Sequence, residues 1–251
     1  MKRIYIYVVL ICVLVMAWEI SGRNSSTVKL LISTPSESLY YFADSVNHLL
    51  LATWITFIEA FLGLSIAAFF SFFVMVVGLC NKNFLDTIMP VMIISQVIPV
   101  ITLAPLIILI FGIGIEAKVI VSALMCFFPI LINFNNGIRS IPEEIFYLLK
   151  VYNASTKFKI RYVYFPLSMP NIMTGLKVSS LLSVIGAMVG EFNGADVGLG
   201  KNLYLAAKKL EPELMINSLL LSAIIGFFLY GAIVWIEHVF GKWYIKNGLL
   251  N

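Results

Sequence analysis

The feature that most constrains this chain is a succession of apolar runs that are long, continuous and almost uncharged. His48–Leu79, Thr87–Gly112, Asn171–Phe192 and Leu214–Phe240 each exceed the roughly 20 residues that cross a hydrocarbon core about 30 Å thick. Nothing in them alternates with period two, which excludes a transmembrane β-barrel. Composition agrees: the chain is 61% hydrophobic and 12% charged, against about 25% charged in soluble domains. The expectation is an all-α, polytopic membrane protein. Its formal charge of +4 lies at membrane edges and forms no basic stripe, so nucleic-acid binding is excluded. Cys12, Cys80 and Cys126 lie in or at the ends of apolar runs without metal-ligand spacing and read as small packing residues.

Taken in order, Ile4–Ile20 follows a basic start and has no small-x-small cleavage site at Ala17–Ile20, so it reads as an uncleaved first span. Ser21–Asn47 is a polar loop holding a short amphipathic helix capped by Ser36. His48–Leu79 is the second span, too long to stand perpendicular. It carries Glu59, an intramembrane acid that marks either a functional group or a contact with a partner helix. A short turn, Asn81–Asp86, leads to the third span, Thr87–Gly112, which contains Pro90, Pro99 and Pro105. Val119–Asn133 is the fourth span, broken near Pro129. Asn171–Phe192 is the fifth, with Lys177 near its polar end, and Leu214–Phe240 is the sixth after a Gly-containing polar loop, Asn193–Glu213. No internal repeat or linker divides the chain, so residues 1–251 form one domain.

With a cytoplasmic N-terminus, Lys2, Arg3, Lys82, Arg139, Lys150, Lys157, Lys159, Arg161, Lys177, Lys242 and Lys246 share that side. Arg23, Lys29, Lys118, Lys201, Lys208 and Lys209 take the other. The excess of Lys and Arg favours six spans with both termini cytoplasmic. No Lys or Arg is then expected mid-span.

No catalytic constellation emerges. His48 and His238 lie far apart without metal partners, and no phosphate-binding loop or nucleophile elbow is present. The informative stretch is Ser140–Pro170, the longest run that cannot be membrane-buried. Pro142 suits a first helical turn, and Glu143 and Glu144 complement its positive end. Ile145, Leu148, Leu149 and Tyr152 form an apolar stripe. Asn153 is a helix stop, Ser155 can cap a second helix from about Thr156 to Tyr164, and Pro166 and Pro170 bound the re-entry. A helix–turn–helix of this kind fits either insertion into a groove on another protein or a basic amphipathic surface lying on the membrane.

At this stretch the sequence resembles the membrane (permease) subunits of binding-protein-dependent ABC importers, whose cytoplasmic motif is Glu-Ala-Ala, three residues, Gly, then a later hydrophobic residue and Pro. The matching positions are Tyr147-Leu148-Leu149, Asn153 and Pro166; Tyr147 replaces the Glu, the two leucines replace the alanines, and Asn153 replaces the Gly while keeping its turn chemistry. Further likeness lies in Ile98-Pro99, Ala104-Pro105-Leu106, Phe111-Gly112-Ile113-Gly114, Phe128-Pro129-Ile130-Leu131, Gly137-Ile138-Arg139, Gly190-Glu191-Phe192 and Val197-Gly198-Leu199-Gly200. Together these cover roughly Pro90 to Lys201 and resemble the subfamily importing nitrate, taurine, sulfonates, bicarbonate and thiamine precursors.

The resemblance implies the type I importer permease fold in the plasma (inner) membrane. It implies two ATPase subunits that carry ATP and Mg, a second permease copy in a homodimer, and an extracytoplasmic substrate-binding protein; this chain needs no cofactor of its own. Docking on the ATPase falls to Tyr147, Leu148, Leu149, Asn153, Ala154, Ser155, Lys157, Phe158 and Pro166. As polar groups in spans, Ser95, Gln96, Thr102, Ser179, Ser180, Ser183 and Glu191, together with Pro99, are candidates for the translocation pathway or for helix packing. The other functional class left open is a polytopic membrane enzyme or assembly factor.

Overall fold

The computed structural model describes residues 2–24, 33–95, 97–192 and 194–246. The described residues form helices and short connections, with no strand. In chain order the helices are α1 (Lys2–Asn24), α2 (Pro35–Asp44), α3 (Val46–Cys80), α4 (Lys82–Ser95), α5 (Val100–Phe111), α6 (Ile115–Arg139), α7 (Glu143–Val151) and α8 (Thr156–Lys159). A π-helical turn, Ile160–Tyr164, joins α8 to α9 (Phe165–Phe192), and α10 (Leu199–Lys209) and α11 (Pro212–Lys246) complete the chain.

The bundle is built on the antiparallel pair α6 and α9, held together by small residues. A Cβ on Gly137 would lie 2.8 Å from Ser168 Cβ, one on Gly175 2.9 Å from Asn133 Cβ, one on Gly186 2.6 Å from Ser122 Cα, and one on Gly190 2.9 Å from Lys118 Cα. Midway, Ser179 Oγ donates to Cys126 O (3.0 Å) and Ser122 Oγ donates to Ser183 O (2.9 Å). Small residues allow backbones this close, and the hydroxyls satisfy themselves on neighbouring carbonyls. α3 packs parallel to α6: Gly63 meets the Ser122 side chain, and Ser71 Oγ donates to Phe127 O (2.9 Å). Met75, Leu131, Phe134 and Ile172 fill the core towards the α7 end, and Leu49, Ala52, Met188 and Leu199 fill the opposite end. The outer surface is apolar as well, with Phe69, Phe73, Phe227 and Trp235 exposed. That inverts the soluble pattern and suits lipid contact.

Four helical stretches are long and apolar enough to cross a bilayer among the described residues: Val46–Cys80, Ile115–Arg139, Thr156–Phe192 and Pro212–Val239. Several sequence expectations are corrected. The third span is two helices, α4 and α5, because Pro99 removes a donor and N-caps α5, while Pro90 and Pro105 stay inside helices. α4 also starts at Lys82, so Asn81–Asp86 is not a free turn. α6 is unbroken at Pro129, where Asn133 Nδ2 donates to the Pro129 carbonyl (2.8 Å) and Gly175 packs closely. The fifth span does not start after Pro170: the helix from Thr156 runs through both prolines. At about 1.5 Å per residue its 37 residues reach roughly 55 Å, well beyond a hydrocarbon core. The polar loop after α9 contains α10. The α2 cap is Thr34 rather than Ser36: Pro35 takes the first helical position, and Thr34 and Glu37 form a reciprocal capping box. Ser36 instead donates through N–H and Oγ to the Glu19 carboxylate, fastening α2 to α1.

Candidate functional site

Two regions stand at opposite ends of the α6–α9 pair. At the Arg139 end, α7 leaves the bundle with Glu143 and Glu144 in its first turn and Lys150 in its last, all matched to the helix dipole. It stops at Asn153, whose φ is 47°. The Asn153 N–H donates to Lys150 O (3.1 Å) and the Ala154 N–H to Leu149 O (3.0 Å), the double closure of a Schellman turn. Ser155 then caps α8, its Oγ accepting from the Phe158 N–H (3.3 Å). In the π turn the Phe165 N–H reaches back five residues to Ile160 O. This wider turn falls just before Pro166, which has no N–H to offer.

The corner is apolar and exposed. Tyr147, Val151 and Tyr152 are 67%, 77% and 80% exposed, and only Leu149 of the stripe is buried. Between α7 and α8 lies an open groove of about 690 Å³ lined by Leu148, Tyr152, Ala154, Phe158, Tyr162 and Pro166. Lys157 stands exposed beside it, and the Arg161 guanidinium lies 5.7 Å from the Tyr162 ring centre.

At the other end, three charged side chains are buried together. Glu59 of α3 and Glu191 of α9 are fully buried, and Lys118 of α6 is 8% exposed. Lys118 Nζ lies 3.2 Å from Glu59 Oε1. Each stands one turn beyond the junction of Gly63, Ser122 and Gly186, where the three helices touch. Glu191 also fastens the connection to α10. Its Oε1 accepts from Thr56 Oγ1 (2.6 Å), its Oε2 accepts from the Gly200 N–H, and Thr56 Oγ1 accepts from the Leu199 N–H (3.0 Å). Gly198 has φ 156°, and a Cβ there or on Gly200 would run into the Glu191 carboxylate. The glycines are therefore required by an acid eight or so residues away. Glu191 was legible as a site candidate and Glu59 as an unplaced acid. Thr56 and Lys118 were not found. The available signal was the cost of an unpaired acid in a span, which calls for a cation at matching depth.

The remaining candidates separate. Gln96 and the Ser95 side chain lie outside the described residues. Pro99 and Thr102 are exposed, with Thr102 Oγ1 donating to Pro99 O (2.7 Å). Ser179 and Ser183 are buried in the α6–α9 seam, and Ser180 Oγ donates to Lys177 O (2.7 Å). Lys177 is near the middle of the seam, two residues from Ser179, and pairs with Glu237 of α11.

Long apolar helices with an apolar outer surface define a multi-pass membrane protein, here with a protruding apolar corner at one end and a buried charge cluster at the other. The chain belongs to the family described as "Binding-protein-dependent transport system inner membrane component", which its residues 75–242 match; it is the permease subunit of an ABC importer. It is 29% identical over 91% of its length to the "Probable ABC transporter permease protein" of Haemophilus influenzae, covering 93% of that protein. It is 30% identical to the formylaminopyrimidine transport permease protein ThiX of Halalkalibacterium halodurans, over 93% of this chain and 94% of the relative. Among solved structures, the MetNI methionine ABC transporter in an inward-facing conformation shares the fold, with a TM-score of 0.68 and 20% identity over 78% of this chain and 97% of that one.

Proposed function

We propose that this permease carries a small polar solute through a pathway opened by a separate ATPase, and that the Asn153 corner is where the ATPase takes hold. The observation that carries this reading is the corner itself: exposed Leu148, Tyr152 and Phe158 around a groove, with Tyr147 exposed on α7, on a turn fixed by its own hydrogen bonds. Leu149, Ala154, Ser155 and Pro166 shape the corner from below, and Lys157 offers charge beside it. In this reading residues 1–251 are one domain of six spans with both termini cytoplasmic, counting α1 as the first span and the broken pair α4 and α5 as the third. Two copies of the chain pair as a homodimer over two ATPase subunits, and an extracytoplasmic binding protein delivers solute to the Glu191 end. ATP closure of the ATPases draws the two corners together and biases a two-state bundle. The pathway is assigned to the α4–α5 break at Ser95, Gln96, Pro99 and Thr102, with Ser179, Ser183 and Glu191 shaping the helices around it. Relatives named for formylaminopyrimidine, aliphatic sulfonates and taurine support a small organic solute of that size.

The test is purification in lipid under mild extraction, followed by ATPase measurement with and without the binding protein across those solutes. An ATPase subunit should copurify, respond to the binding protein with one solute, and dissociate when Asn153–Phe158 is replaced by a Gly-Ser segment. No associated ATPase would overturn the reading.

A further inference from the structure

We infer that a pocket beside α7 binds the phosphate group of an anionic membrane lipid; this requires only that α3 and α6 cross a bilayer. The pocket holds about 710 Å³ and is lined by Gly78 and Leu79 of α3, Asn135 and Arg139 of α6, and Glu143 and Lys150 of α7. It shares no residue with the groove between α7 and α8. Glu143, Phe146 and Lys150 recur every three or four residues, so they occupy one side of α7, opposite Ile145, Leu148 and Leu149. One helix thus turns one side to the ATPase and the other to this ligand.

The polar groups of the pocket are unspent. Among the described residues, Arg139, Glu143 and Lys150 form no ion pair, and Asn135, only 5% exposed, forms no side-chain hydrogen bond. A buried amide without a partner is costly, and this one borders the pocket. Two cations and one carboxylate leave a single positive charge, which one phosphodiester neutralises. A guanidinium meets two phosphate oxygens at once. Position selects a lipid over a soluble anion. The candidate spans Val46–Cys80 and Ile115–Arg139 both end at this pocket, where apolar sequence gives way to charge. Leu79, Ile138 and Phe146 form its apolar wall, and Phe72 and Phe73 stand exposed further along α3. A headgroup held by Arg139 and Lys150 can lay its acyl chains on that surface, for which a soluble anion has no use. Basic pockets between helix ends recur as headgroup sites for this reason.

The test uses the whole transporter complex, stripped of lipid in detergent and titrated with dioctanoyl phosphatidylglycerol, with bound lipid counted by native mass spectrometry. Dioctanoylglycerol, which lacks the phosphate, controls for the acyl chains. The phospholipid should bind at least about tenfold more tightly than this control. Arg139→Gln combined with Lys150→Gln should remove the preference. Lys208→Gln combined with Lys209→Gln takes the same charge from α10 and should leave it unchanged. Equal binding of the two lipids overturns the inference. So does a preference that survives the loss of Arg139 and Lys150, or one that falls as far with the loss of Lys208 and Lys209. Displacement of the phospholipid by equimolar inorganic phosphate also overturns it, since the site would then take a soluble anion. Should the first double variant not assemble, Lys150→Glu, at an exposed position, replaces it and should weaken binding several-fold. A complex that still holds its ATPase while failing this test would leave the permease reading intact.

Discussion

The two ends of the α6–α9 pair use opposite solutions. At the Glu191 end charge is buried: two carboxylates and a lysine are enclosed among three helices, and the Glu191 oxygens are met by Thr56 and the Gly200 N–H. At the Asn153 end apolar side chains are exposed on a helix that has left the bundle. A buried charge cluster has to be completed by the chain itself, because an unmet charge is too costly to leave. An exposed apolar corner with fixed backbone is completed by something else. The first end is therefore expected to govern folding, and the second to govern assembly, with little crossover.

The largest effect is expected where that division would be easiest to break. Lys118→Met leaves Glu59 and Glu191 buried without their cation and should cost about 3–5 kcal/mol, read as a fall in the temperature at which the detergent-solubilised permease loses monodispersity. Adding Glu59→Leu removes the orphaned charge and should restore more than half of the loss. An additive double mutant would show that the two side chains are not coupled.

Next in size is the seam that places the cluster. Gly186→Ala puts a Cβ 2.6 Å from Ser122 Cα, a backbone atom that cannot yield alone. Forcing α6 and α9 apart should cost about 1–3 kcal/mol in the same thermal assay. Unchanged stability would mean that the seam is looser than its geometry indicates.

Much of this arrangement was legible in the residues, and the exceptions share a cause. Long apolar runs give helices and their depth, so α3, α6 and α11 were visible. Asn153 and Ser155 act on their own backbone, so the corner was visible too. Prolines misled. Pro129, Pro166 and Pro170 look like boundaries because proline breaks an isolated helix, yet here Asn133 and Thr174 side chains donate to the Pro129 and Pro170 carbonyls, and buried Pro166 follows a π turn. Lys118 and Lys177 looked peripheral because charge near the end of an apolar run usually reaches water. Only the fold shows that each has a carboxylate partner from a helix distant in sequence.

At the corner, backbone changes should separate folding from assembly. Asn153→Gly keeps the left-handed turn and should be neutral. Asn153→Val forces a β-branched residue to φ 47° at a cost of about 1–2 kcal/mol, confined to α7 and α8. The expected result is a bundle of normal thermal stability from which the ATPase subunit dissociates during purification. Global unfolding by Asn153→Val would show that the corner supports the bundle, against the division proposed above. Ser155→Ala removes the cap of a four-residue helix and should do the same more weakly, by about 1 kcal/mol.

The smallest effect on folding is the sharpest test of what the corner is for. Tyr147 on α7 and Tyr152, which caps its end, are both largely exposed. Replacing both by Ser removes two large rings that the chain does not bury, so stability should stay within about 0.5 kcal/mol. The copurified ATPase should nevertheless fall several-fold, because aromatic side chains are the usual anchors of a protein interface. If the corner merely rested on the bilayer, losing two rings would weaken membrane contact at that helix and leave the partner bound. The ratio of ATPase to permease in the purified complex therefore distinguishes a docking surface from a membrane-surface helix, which the pattern of apolar and basic residues alone does not.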